Sequence, residues 1–90
     1  MEFKHLTIEI WKSGKWFIAK APELDFISQG NTPEEAKKNL LEVIKIQFEE
    51  MRKMKTLNEY LLECGFEIKE GELIPQKEII GFEKYTISVK

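Results

Sequence analysis
The side chains that could do chemistry are few and scattered. His5 is the only histidine and Cys64 the only cysteine. A metal site built on either needs partners at short spacing, and neither H-x-x-x-H nor a paired Cys/His arrangement is present. His5 reads as an exposed strand residue. Cys64 falls near the C-terminal end of a short helix, where the dipole disfavours a thiolate, and Glu63 adds negative charge beside it. It reads as a packed structural thiol rather than a nucleophile. All but one of the 16 acidic residues are glutamates, Asp25 being the exception. A two-metal nuclease gathers several carboxylates from strand interiors, and only Glu9 is placed for that. Ser13, Ser28 and Ser88 lack a G-x-S-x-G setting and a His–Asp pair, and there is no glycine-rich phosphate loop. No catalytic residue, metal site or cofactor is expected.

The aromatic residues carry more. Trp11 and Trp16 stand on either side of Ser13-Gly14, the turn signal of a hairpin. With Ser13-Gly14 as a two-residue loop, Lys12 pairs with Lys15, Trp11 with Trp16, Ile10 with Phe17, Glu9 with Ile18 and Ile8 with Ala19. One face is then Leu6, Ile8, Ile10, Phe17, Ala19 and Ala21. The other is Thr7, Glu9, Trp11, Trp16, Ile18 and Lys20. A single helix covers only one face of such a sheet. If it takes the Leu6/Ile8/Ile10 face, the tryptophans look outward, and exposed apolar patches mark interfaces in which Trp is enriched. If the second helix or a C-terminal strand covers them, they are core. Trp11, Trp16, Ile18 and Glu9 are the candidate partner or dimer interface. Ile46 joins them as an isoleucine at the edge of a polar helix face.

The elements that must position these residues follow from periodicity. Residues 3–12 alternate apolar and polar, which predicts a half-buried strand. A second strand spans about 15–21 and stops at Pro22, which has no N–H for the ladder. Phe26–Gln29 is a short third strand, released at Gly30. Thr32 then caps a helix, with Pro33 at its first position and Glu35 placed to reach back to the Thr32 N–H as a capping box. The helix runs to Arg52 or Lys53, with Ala36, Leu40, Val43, Ile44, Gln47, Phe48 and Met51 as its apolar stripe. Thr56-Leu57-Asn58-Glu59 repeats the capping pattern and predicts a short helix, Leu57 to Cys64, stopped by Gly65. A small hairpin around Glu70-Gly71 follows, and Lys84–Val89 reads as a final strand.

The chain has 90 residues, 42% hydrophobic and 33% charged, with a formal charge of −2. That length accommodates one domain, residues 1–90, with a core small enough to make a homodimer the expectation. A single cysteine excludes an internal disulfide. No run approaches the roughly 20 apolar residues of a membrane span, so a cytoplasmic protein with no membrane partner is expected. The acidic balance argues against a nucleic-acid partner, because phosphate attraction favours a basic face.

With these elements in order, the chain resembles the HicB-like antitoxin family. The resemblance rests on Pro22-Glu23-Leu24, on Ser28-Gln29-Gly30-Asn31-Thr32 and on Glu34-Glu35-Ala36, and it covers about residues 5–50. It implies an α+β fold: a small antiparallel sheet in a β-β-β-α core, akin to a degenerate ribonuclease-H-like fold without catalytic acids. A short second helix and a C-terminal strand complete it. It also implies a non-enzymatic module that masks a small, basic HicA-type toxin, an mRNA-cleaving protein. Many relatives have a Pro-Gly turn and a small residue or Cys after the P-E-L step, where this chain has Asp25-Phe26-Ile27. Many relatives also carry a C-terminal DNA-binding segment. The Leu57–Cys64 helix is too short and isolated to serve as one, so operator binding is not carried over. Two alternatives stand beside the antitoxin: a nucleic-acid-binding module using the aromatic sheet face, and an orphan dimeric HicB-like domain with no toxin partner.

Overall fold
The structure is a computed structural model that describes residues 2–3 and 5–89. Eight elements follow in order: β1 (Glu2–Phe3), β2 (Glu9–Ser13), β3 (Trp16–Ala21), β4 (Phe26–Gly30), α1 (Pro33–Lys53), α2 (Leu57–Glu63), β5 (Phe66–Lys69) and β6 (Glu72–Pro75). The fold is α+β. Strands β2, β3 and β4 make an antiparallel sheet in that order, and β1, β6 and β5 make a second one, with β1 parallel to β6.

The long alternating segment over residues 3–12 is divided. Phe3 pairs with Leu73 in β6, while the strand that enters the main sheet begins only at Glu9. His5 has φ +61, in the left-handed region, which ends an extended run. Lys4, inside the expected strand, lies outside the described residues. Between the two strands, the Thr7 N–H donates to both carboxylate oxygens of Glu23, at 3.1 and 3.0 Å.

The β2–β3 loop is Gly14-Lys15 rather than Ser13-Gly14. Ser13 faces Trp16, Lys12 faces Phe17, Trp11 faces Ile18, Ile10 faces Ala19 and Glu9 faces Lys20. Gly14 has φ +62 and Lys15 does not share that sign, the pattern of a type II′ turn, which wants glycine first. Moving the loop by one residue moves every partner by two. Side-chain direction has the same period, so the residues from Glu9 onward keep their expected faces, whereas Leu6, Thr7 and Ile8, expected on the same faces, precede β2 and are not part of the sheet.

Helix α1 starts and stops where expected. Thr32 is extended (φ −136, ψ 160) and its hydroxyl accepts from the Glu35 N–H at 3.0 Å. The return contact differs from a capping box: Glu35 Oε1 accepts from the Asn31 N–H at 3.3 Å, one residue earlier than expected. At the second helix the cap is absent. Thr56 is already helical in backbone (φ −112, ψ −1) and makes no side-chain cap bond; its hydroxyl donates to the Met51 carbonyl at 3.5 Å. The α1–α2 joint is too tight for Thr56 to turn outward, because its own N–H is held by that same carbonyl at 2.9 Å.

The core is Ala19, Ala21, Leu24, Ala36, Leu40, Ile44, Leu57, Leu61, Phe66 and Leu73, with Phe3, Leu6, Ile8, Phe17, Phe26, Phe48 and Met51 packed against it. Two expected core residues fall outside. Gln47 is exposed. Ile10 is 42% exposed although it is on the helix side of the sheet, because α1 packs chiefly over β4 and β3 and less over β2. At Gly30 the sheet runs close under the helix: a Cβ there would stand 2.6 Å from the Ala36 nitrogen and 2.9 Å from the Glu35 carbonyl carbon. The residues expected as a final strand, Lys84–Val89, carry no regular structure and no strand pairing among the described residues, where the last strand is β6.

Candidate functional site
The pleat assigns every other residue of β2, β3 and β4 to the face turned away from α1. Three rows result. Glu9, Lys20 and Ile27 form one, Trp11, Ile18 and Gln29 the next, and Ser13 and Trp16 the last. The tryptophans are therefore diagonal neighbours rather than directly opposed. A diagonal pair stands roughly 7–8 Å apart, a spacing that side chains of this size can span. Trp11 is 41% exposed, Trp16 38% and Ile27 56%. Each is partly supported by its neighbours and partly open to solvent, on a face that no helix or strand of the described residues covers.

The polar rim is simple. Lys15 Nζ stands 5.8 Å from the Trp16 ring centroid, within cation–π range. Lys20 Nζ is 3.5 Å from Asp25 Oδ1, and Lys20 also faces Glu9 across the ladder, so opposite charges flank it. Ile18, Ile27, Ser28 and Gln29 line a shallow depression of about 310 Å³. The face therefore combines two tryptophans toward the hairpin end, Ile18 and Ile27 on β3 and β4, and mixed charge.

The sequence-derived site residues divide. Trp11, Trp16, Ile18 and Glu9 share this face. Ile46 does not: it is exposed on α1, on the opposite side of the sheet. Ile27 and Gln29 belong to the face and were not singled out. The alternation of Phe26-Ile27-Ser28-Gln29 and the pairing of β4 with β3 were the available signals.

Elsewhere the titratable groups have structural settings. His5 Nδ1 is 3.4 Å from Glu78 Oε1, both well exposed. Cys64 is half-buried at the end of α2. Burial raises its thiol pKa, the hydrogen bond with Tyr60 opposes this, and the Glu63 and Asp25 charges raise it further. Tyr60, unmarked in the sequence reading, ties α2 to the turn after β3. Its hydroxyl donates to the Leu24 carbonyl, and its ring stacks on Phe26 with centroids 5.7 Å apart. Burial raises its pKa above the ordinary value of about 10, and its interactions with Cys64 and Asp25 push the same way. Among the described residues, no three His, Cys, Asp or Glu side chains gather as metal ligands, and no helix is long and apolar enough to cross a membrane. No family model, no curated protein and no solved structure matches this chain.

Proposed function
We propose that this chain is a non-enzymatic, cytoplasmic protein-binding module whose docking surface is the outward face of the β2–β3–β4 sheet. Its role is that of a HicB-like antitoxin, masking a small basic RNA-cleaving toxin of the HicA type. The reading is carried by one observation: two tryptophans and two isoleucines stand half-open on a sheet face that no element of the described residues covers, while the long amphipathic helix packs on the other side. Aromatic anchors of this kind dominate binding energy at protein interfaces. The acidic balance of the chain complements a basic partner and speeds its capture. The sequence resemblance over residues 5–50 supplies the partner class.

The test is capture followed by reconstitution. Tagged protein is incubated with lysate of the source organism, washed at high salt, and the retained proteins are identified by mass spectrometry. The reading expects a stoichiometric small basic protein whose purified form cleaves RNA, and whose cleavage stops on adding one equivalent of this chain. Trp11→Ala/Trp16→Ala removes both capture and inhibition while leaving the far-ultraviolet circular dichroism unchanged. Retention of nucleic acid alone, lost in salt, contradicts it, as does a captured partner that the double variant holds equally well.

A further inference from the structure
The C-terminal arm is the part of the molecule that the fold does not use. Ile80, Phe82, Tyr85, Ile87 and Val89 are between 66% and 94% exposed. Over 84–89 apolar and polar residues alternate, Tyr85, Ile87 and Val89 against Lys84, Thr86 and Ser88, and four of those six are β-branched or aromatic. This is a strand sequence without a strand to pair with. Its base is fixed, since Ile79 is half-buried and lines a cleft with Pro22, Glu23, Cys64, Pro75 and Lys77, and Glu78 meets His5. Beyond Gly81 the arm leaves the body. The radius of gyration is 15.3 Å, against about 12 Å for a compact chain of this length, and the long axis is 48 Å against 29 and 21 Å.

The main sheet has a matching vacancy. In a hairpin with a two-residue loop the residues flanking the loop exchange both hydrogen bonds, and bonded pairs then alternate. Ser13–Trp16, Trp11–Ile18 and Glu9–Lys20 are therefore the bonded pairs. The N–H and C=O groups of Ile10 and Lys12 point away from β3, along an outer edge. The same alternation turns Ile27 and Gln29 outward on β4, and there the Gln29 carbonyl already accepts from Asn39 Nδ2 at 2.8 Å. On β2 the edge lies beside Ile10, the apolar side chain that α1 leaves 42% exposed.

We infer that residues 84–89 of one copy add as a strand to the β2 edge of a second copy, reciprocally, in a two-fold arm-exchanged dimer. The arm's ladder bonds go to Ile10 and Lys12, and Tyr85, Ile87 and Val89 lie on the Ile10 side, extending the core where α1 stops short. Each copy carries one arm and one β2 edge, so reciprocal exchange between two copies satisfies both and the assembly closes. An unpaired edge and an unpaired strand sequence on one small domain are an aggregation hazard unless they meet. This pairing leaves the tryptophan face free, so it does not depend on the partner proposed for that face.

The test uses the full chain. Ile87→Pro/Ser88→Pro removes two adjacent N–H groups, one of which any ladder through this segment requires. Both positions are exposed and carry no strand pairing among the described residues of one copy, so the far-ultraviolet circular dichroism and melting of the monomeric fold should survive. Light scattering on a sizing column at about 100 μM should give twice the 10.6 kDa chain mass for wild type and the single-chain mass for the variant. Amide exchange at Ile10 and Lys12 should slow at least tenfold in wild type relative to the variant. Three results overturn the inference: a wild-type monomer, a dimer that persists in the variant, or protection that falls on Ile27 and Gln29 instead.

Discussion

Gly30→Ala tests how the strand-to-helix junction is built. Gly30 is buried at the end of β4, opposite Phe17, and the chain then turns through Asn31 and Thr32 into α1. An added Cβ would stand 2.6 Å from the Ala36 nitrogen, 2.9 Å from the Glu35 carbonyl carbon and 3.0 Å from the Glu35 Cβ. Two of these atoms are backbone inside the first turn of a helix, so no rotamer change relieves the contact. The helix must lift off the sheet or the turn must open. Inserting a methyl into a packed site costs about 1–3 kcal/mol, and a rigid neighbour puts this case at the upper end. The reduced freedom of the unfolded chain returns about 0.4–1 kcal/mol. The net expectation is a loss of about 2 kcal/mol, which for a domain of this size lowers Tm by about 8–16 °C. Thermal melts followed by circular dichroism, with urea unfolding as a second measure, read this directly. The control is Gly14→Ala, where nothing stands within 4 Å and only the φ of +62 resists; about 1–2 kcal/mol is expected there. A Gly30→Ala protein that melts within 2 °C of wild type refutes the close-approach account.

Two further outcomes follow from the caps and the α2 anchor. Thr32→Ala deprives the Glu35 N–H of its 3.0 Å acceptor and should cost about 1 kcal/mol; Thr56→Ala, which loses no cap bond, should cost less, and equal losses in the two melts would contradict the cap assignment. Tyr60→Phe leaves the Leu24 carbonyl without its hydroxyl donor and should cost about 1–2 kcal/mol in urea unfolding. The folded pKa of Tyr60 is raised above the ordinary value of about 10. The folded state therefore holds this proton more tightly than the unfolded one, and its contribution is complete below pH 10 and lost as pH rises beyond it. Cys64, also raised, adds to that alkaline loss with an earlier onset, from its own ordinary value. The Tm of wild type should fall more steeply above pH 10 than that of Tyr60→Phe, and parallel curves would remove Tyr60 as the source.

Much of the fold was legible because its signals are local. Thr32-Pro33-Glu34-Glu35 marks a helix start on residue chemistry alone, and α1 begins at Pro33 and ends at Lys53. The hairpin was legible in its faces and not in its register. Glycine can occupy either central position of a two-residue loop, and only the backbone shows that Gly14 takes the first. The division of the first strand was invisible, because a histidine in the left-handed region has no sequence signature. The fate of Lys84–Val89 was equally hidden: alternation reports that a segment suits a sheet, not that its own chain supplies a neighbour. At the candidate site, Trp11, Trp16, Ile18 and Glu9 came together because alternation is a short-range property. Ile46 fell elsewhere because its link to them was exposure alone, which carries no position.

The central claim is that the tryptophan face binds a protein partner. The most direct measurement is isothermal titration of the captured basic protein into wild type and into Trp11→Ala/Trp16→Ala. The account predicts one partner per chain for wild type and an affinity at least a hundredfold weaker for the double variant, with its melting curve still cooperative. Equal affinities for the two proteins would contradict it.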